Sequence, residues 1–435
     1  MSQADLMVRG AVLPVGLSGL GGPRMAEGPV DLFVAKGKVL EVVPSGAHGL
    51  PEGVKVVEAA GLTLLPGLTD AHTHLREPGQ EWKETIATGL AAAAKGGFSN
   101  LLCMANTDPV NDCASITETM LDKAAKAHPK GPRLFPVGAL TVGLEGKALA
   151  PLEELKAAGC KAFSNDGRPV GNTELFRRAL EYASDLGIPV IDHCEDPYLA
   201  PGAGINEGVL SARLGLPGQP VAGEAIQVAR DILLAEYLNI PIHLAHVSCR
   251  QAVDLIRVAK AKGVPVTAET CPHYLAFTEQ ACEGYDTNAK VSPPLRTAED
   301  QAALIAALAD GVVDILATDH APHAGHEKET PFEEAPNGIS GLETALSLTW
   351  NLVRCGHLSA QALIRAWCWK PAEIFGLPVN RFQPGDPADF LLFDPGASWL
   401  VTAGALLSKG KNTPCLGMEL YGRVKGNYLA GKNVL

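Results

Sequence analysis

In the segment DAHTHLREPG, residues 70–79, His72, His74 and Arg76 stand at alternate positions. Alternate residues of an extended chain point the same way, so on one strand the three side chains would project together. Two imidazoles so placed suit a metal ion, and the guanidinium beside them suits an anion held next to it. Further ligand-type residues follow in FSNDG (Asp166), DHCED (His193), HLAHVS (His246) and LATDHAPH (Asp319). Each lies at or just beyond the end of a short apolar run. A single histidine on an apolar strand is more often a hydrogen-bonded core residue than a ligand. Four histidines and two aspartates at successive strand ends are hard to produce by packing alone. Imidazole with carboxylate suits Zn²⁺ or a similar divalent ion, and six ligands favour two ions sharing a carboxylate. His273 in CPHY and His320 are weaker candidates, and His273 reads as structural.

The elements that must carry these residues alternate in type. From about residue 62 the apolar runs LTLLPGLTDAH, SNLLCMA, RLFPVGAL, CKAFS, IPVIDHC, PIHLAHV, VPVTAET and VDILATD are separated by stretches of helical period. One such stretch, ETIATGLAAAAKGG, ends at Gly96 and Gly97, as helices often do. Eight strands with intervening helices fit an α/β (β/α)8 TIM barrel spanning 62–378, whose functional groups would gather at the C-terminal ends of the strands. Residues 1–61 and 379–435 carry short β-rich runs between glycines and prolines. They read as two halves of one small β-sandwich domain.

Composition excludes several classes of function. With 36 Lys and Arg against 48 Asp and Glu, the formal net charge is −12, which disfavours a nucleic acid or an anionic membrane as the main partner. An anionic small substrate remains compatible if local arginines capture it. No window approaches the roughly 18 apolar residues of a membrane span, and the opening residues lack a basic segment followed by an apolar one, so the expected location is the cytoplasm. The ten cysteines are scattered without a CxxC pair and read as reduced thiols.

Taken together, PGLTDAHTHLREPG, MANTDPV, FSNDG, DHCED, HLAHVS and LATDHAPH resemble the amidohydrolase superfamily and, within its cyclic amidohydrolases, the bacterial type I dihydroorotases. The resemblance covers nearly the whole chain. It implies a zinc enzyme, with two ions per subunit, that interconverts N-carbamoyl-L-aspartate and dihydroorotate. It implies His72, His74, His193 and His246 as ligands, Asp166 as bridging carboxylate, and Asp319 as both ligand and catalytic proton carrier. Arg76, Asn106 and His323 fall where the family binds substrate, and the turn at Pro336 and Gly338 would offer backbone groups to a planar amide ring. Hydantoinases and allantoinases bridge their metals with a carboxylated lysine, for which this chain has Lys161; Asp166 is favoured because it already stands at the strand end. Ser292 in KVSPPLR replaces an asparagine common in the family and would reach less far toward substrate. The resemblance also suggests a homodimer and association with aspartate transcarbamoylase. Two rival readings are another cyclic amidohydrolase such as a hydantoinase or allantoinase, against which Arg76 after HxH and the DHAPH block favour a carboxylate-bearing substrate, and a dihydroorotase-like scaffold without activity, against which the complete ligand set argues.

Overall fold

The structure is a computed structural model that describes residues 4–14, 28–50 and 53–435. The initial residues and most of the glycine-rich run before Pro29 lie outside the described residues, as does the part of the proposed terminal domain they would contribute. Eight parallel strands follow one another around the barrel in chain order: β1 (Leu68–Thr73), β2 (Phe98–Cys103), β3 (Arg133–Ala139), β4 (Ala162–Ser164), β5 (Val190–Asp192), β6 (Ile242–Leu244), β7 (Val266–Thr270) and β8 (Ile315–Leu316). The ring closes between its first and last strands. The Asp70 carboxylate accepts from Thr318 N at 2.9 Å and Thr318 Oγ1 at 2.5 Å, and His74 N donates to His320 O at 2.8 Å. Small and branched side chains such as Ala71, Leu102, Val137, Ala162, Ile191 and Ile315 fill the interior, so the barrel is a packed core with its polar residues left at the rim.

Local chemistry explains the helical layer. The helix Ile86–Gly96 starts at a capping box in which Thr85 accepts from the Thr88 backbone, and it stops at Gly97 in the left-handed conformation, φ 93°. The longest helix, Val221–Leu238, follows β5. Among the described residues no helix is long and apolar enough to cross a membrane. All ten cysteines are free.

Both chain ends enter one eight-stranded sheet beside the barrel, where Thr63–Pro66 pairs antiparallel with Phe390–Phe393 and the long strands Phe390–Leu400 and Glu419–Leu429 form a hairpin. Leu32, Val34, Leu64, Phe390 and Tyr428 pack in its core. One element differs from the sequence expectation. LTLLPGLTDAH is not a single barrel strand: Thr63–Pro66 belongs to the terminal sheet, and the barrel begins at Leu68. The break falls where Pro66 offers no N–H to a ladder and where a Cβ on Gly67 would come within 2.9 Å of Ser99 Cβ.

Candidate functional site

The C-terminal ends of the barrel strands converge on one buried cluster. His72 lies in β1 and His74 just past it; Asp166 follows β4 by two residues, His193 follows β5 directly, His246 follows β6 by two, and Asp319 follows β8 by three. Asp166 is at the centre. Its Oδ1 is 3.2 Å from His72 Nε2 and 3.3 Å from both His193 Nδ1 and His246 Nε2, while its Oδ2 is 3.4 Å from His74 Nε2. Asp319 Oδ1 lies 3.0 Å from His74 Nε2 and 3.7 Å from His72 Nε2. Five of the six side chains form two overlapping groups that share Asp166, one with the His72 and His74 pair and one with His193 and His246.

The outer hydrogen bonds decide what the inward nitrogens can do. His72 Nδ1 donates to Glu269 Oε1 at 2.6 Å, His74 Nδ1 to Asn106 Oδ1 at 2.8 Å, and His193 Nε2 to Glu195 Oε2 at 2.9 Å. Each of these rings therefore turns its other nitrogen, with a lone pair, into the cluster. That is the tautomer a metal ligand needs. His72 Nε2, 3.2 Å from Asp166 Oδ1, is buried without a well-aligned hydrogen-bond donor or acceptor among the described residues, and His193 Nδ1 and His246 Nε2 face each other at 2.8 Å. Electrostatics points the same way. Burial alone would lower the pKa of His72, yet Asp166 and Glu269 raise it well above normal, and Asp166 and Glu195 raise that of His193 to about 10 despite its burial. The surrounding histidines hold both Asp166 and Asp319 below the usual carboxylate range against the opposing effect of burial. The cluster concentrates negative charge that must be met by protons or by metal cations, and its donor set fits the latter. A third acidic group, Asp192 with Asp231 and Cys194, is already neutralised by Arg230, whose Nη2 lies 2.9 Å from Asp192 and 2.7 Å from Asp231.

The cluster opens into a cavity of about 290 Å³ whose walls include Arg76, Asn106, Ser292, His323, Asn337 and Gly338. Arg76 is 8 % exposed and has no carboxylate within 4.0 Å among the described residues; its Nε donates to Pro322 O at 3.2 Å and its Nη2 lies 3.3 Å from His323 Nε2. It does not sit on β1 with His72. β1 ends at Thr73, and Arg76 reaches the pocket through a left-handed backbone, φ 61°; His246 and Asp319 have φ of 32° and 45°. Such backbone is costly for residues other than glycine, and here it recurs at three positions around one site. His323 is kept neutral, its pKa pushed down to about 2 by burial and by Arg76, and its Nε2 donates to Asn337 O at 2.9 Å.

The other residues singled out from the sequence divide between those that line the cavity and those that do not. Pro336 does not line the cavity: its carbonyl accepts from Lys328 Nζ at 2.7 Å, and Asn337 takes the place on the wall. Ser292 lines it, but its hydroxyl donates to Glu195 Oε2 at 3.0 Å, so it braces the partner of His193. Lys161 precedes β4 at the opposite end of the barrel from the cluster and lines no part of the cavity. His320 pairs with Glu84, 3.4 Å away, and His273 is buried outside the cavity. Glu269 was not singled out from sequence. It stands in β7, in VPVTAET, and its signal was an acid on an otherwise apolar run. Glu269 is spent on His72 and on His243, 3.1 Å away.

This barrel with its attached sheet and rim of imidazoles and carboxylates defines a class, the cyclic amidohydrolases. The fold matches the L-hydantoinase of Arthrobacter aurescens with a TM-score of 0.86 at 24 % identity, covering 99 % of this chain and 96 % of that one. It matches the dihydropyrimidinase of Brevibacillus agri NCHU1002 with a TM-score of 0.83 at 26 % identity, covering 99 % and 94 %. A family model described as dihydro-orotase-like matches residues 61–252. The dihydroorotase of Syntrophus aciditrophicus is 48 % identical over 94 % of this chain and 95 % of its own, and that of Geotalea daltonii 49 % identical over 93 % and 94 %. The chain belongs to the dihydroorotase family.

Proposed function

We propose a dihydroorotase that works with two zinc ions, which His72, His74, Asp166, His193, His246 and Asp319 would hold. The reaction is the reversible interconversion of N-carbamoyl-L-aspartate and (S)-dihydroorotate in de novo UMP biosynthesis. The observation that carries the substrate assignment is Arg76: a buried guanidinium, without a carboxylate partner, beside a cluster suited to hydrolysis. A substrate carboxylate supplies the missing partner.

When bound, the ions polarise the ring carbonyl and lower the pKa of the attacking water. Arg76 and Asn106 hold the substrate carboxylate, and His323 and the backbone of Asn337 and Gly338 border the ring. Asp319, kept ionised by the neighbouring histidines despite its burial, accepts the proton of the attacking water and delivers it to the departing ring nitrogen. Glu269, Glu195 and Asn106 hold His72, His193 and His74 in the tautomers that binding requires.

We place this enzyme in the cytoplasm as a homodimer and take aspartate transcarbamoylase as the partner to test by co-purification. The activity is tested by following ultraviolet absorbance with dihydroorotate, hydantoin and allantoin as parallel substrates, on protein whose metal content has been measured. Preference for dihydroorotate supports the assignment. Preference for an uncharged ring refutes the role of Arg76 in substrate choice.

A further inference from the structure

Asn412 belongs to the segment between the two long strands of the terminal sheet, yet it is buried (3 % exposed) behind the substrate pocket. Its amide oxygen accepts from His323 N at 2.8 Å and lies 2.9 Å from Ser340 Oγ, whose proton is shared with Gly410 O, also 2.9 Å away. Its amide nitrogen donates to Ala321 O at 3.1 Å and to Gly338 O at 2.9 Å, and its own carbonyl accepts from Ser340 N at 2.8 Å. An asparagine side chain can make four hydrogen bonds. Here all four are directed to two loops, the one after β8 and the one carrying the PNG turn. Ala321, His323 and Gly338 line the pocket, whereas Asn412 does not.

The segment around it is itself anchored to the barrel. Ser408 Oγ and Lys409 N donate to Glu84, and Leu407 N and Ser408 N donate to Glu343. At Gly410 the approach is close enough that a Cβ would stand 2.6 Å from Pro322 Cβ and 2.7 Å from His323 N. The terminal-sheet segment thus rests on the backbone of the substrate loop, and among the described residues it makes no hydrogen bond or ion pair to the cluster's six ligand-type side chains.

We infer that Asn412 is a positioning residue for substrate: it fixes His323 and Gly338 relative to each other, and through Pro322 and His323 it fixes them relative to Arg76. The inference rests on the dihydroorotase reading above. It assigns to a residue of the terminal domain a part in substrate affinity that none of the pocket's own residues supplies.

The test uses full-length, metal-loaded parent, Asn412→Ala and Ser340→Ala, with kcat and KM for dihydroorotate, metal content and melting temperature measured on each. Removing Asn412 strands His323 N, Ala321 O and Gly338 O, while Ser340 Oγ keeps Gly410 O, so KM should rise on the order of 10-fold or more while kcat changes less and metal content stays at the parent value. Ser340→Ala removes one shared bond and should raise KM in the same direction by about 2- to 5-fold, with little loss of melting temperature; it carries the test alone if Asn412→Ala does not fold. Unchanged KM in the soluble variants of a parent that turns over dihydroorotate overturns the inference and leaves the reaction assignment standing. A metal-loaded parent with no turnover of dihydroorotate overturns that assignment, and the inference with it.

Discussion

Replacing Arg76 by alanine removes the only guanidinium among the described residues that line the substrate cavity. Two of its contacts are internal, the bond from Nε to Pro322 O and the approach of Nη2 to His323, so the rest of the fork is free to meet a carboxylate. A hydrogen bond to a charged group contributes about 1.5–3 kcal/mol, which corresponds to roughly 10- to 150-fold in affinity. Loss of the bond to Pro322, a neutral acceptor, adds about 0.5–1.5 kcal/mol against the loop conformation. Arg76→Ala should therefore lower kcat/KM for dihydroorotate by about 10- to 150-fold or more, mainly through KM, with metal content unchanged because Arg76 is not in the ligand cluster. Arg76→Lys should recover only part of the loss, since an ammonium keeps the charge without the planar fork. Steady-state kinetics and metal analysis on the three proteins decide the matter. An Arg76→Ala enzyme that binds dihydroorotate as well as the parent would mean that the arginine only braces Pro322, and the substrate assignment would lose its main support.

Asp166→Ala should lose both metal and activity while Lys161→Ala keeps most of each; metal analysis showing the reverse, with bicarbonate restoring activity to stripped protein, would make the lysine the bridge. Asp319→Asn keeps the side-chain volume but cannot accept the proton, so kcat should fall at least about 10²-fold, and near-normal turnover would remove Asp319 from proton transfer. Lys328 is buried among carbonyls with Lys290 nearby, which lowers its pKa to about 7. Between about pH 7 and 10.5 the unfolded state then binds more protons at this residue than the folded one does, so stability should rise with pH across that window by up to about 1.4 kcal/mol per unit. Denaturant melts of parent and Lys328→Met at several pH values test this, and equal pH slopes would contradict it.

The residues of the buried cluster were legible in the chain because they obey local rules. Imidazole and carboxylate are the side chains a zinc-like ion takes, and the end of an apolar run marks where a barrel strand meets its rim, so His72, His74, Asp166, His193, His246 and Asp319 could be chosen from type and position alone. The barrel was legible for the same reason, since the alternation of buried strand and amphipathic helix is written in short-range periodicity. What lay beyond reach depended on backbone turns and distant contacts. Strand periodicity placed Arg76 in line with the two histidines, but the ladder ends at Thr73 and a left-handed residue makes the last step. Nothing in LTLLPGLTDAH states that its first half pairs with a strand more than 320 residues later, because hydrogen bonding between strands leaves no mark on either strand's own pattern. Glu269 and Glu195 acquire their roles only when β7 and the loop after β5 bring them to the outer nitrogens of His72 and His193. Asn412 is the extreme case. In KGKNTPC it is an ordinary polar residue of a loop, and only tertiary packing, which carries the terminal segment behind the mouth of the barrel, directs its amide to the groups that shape the substrate pocket.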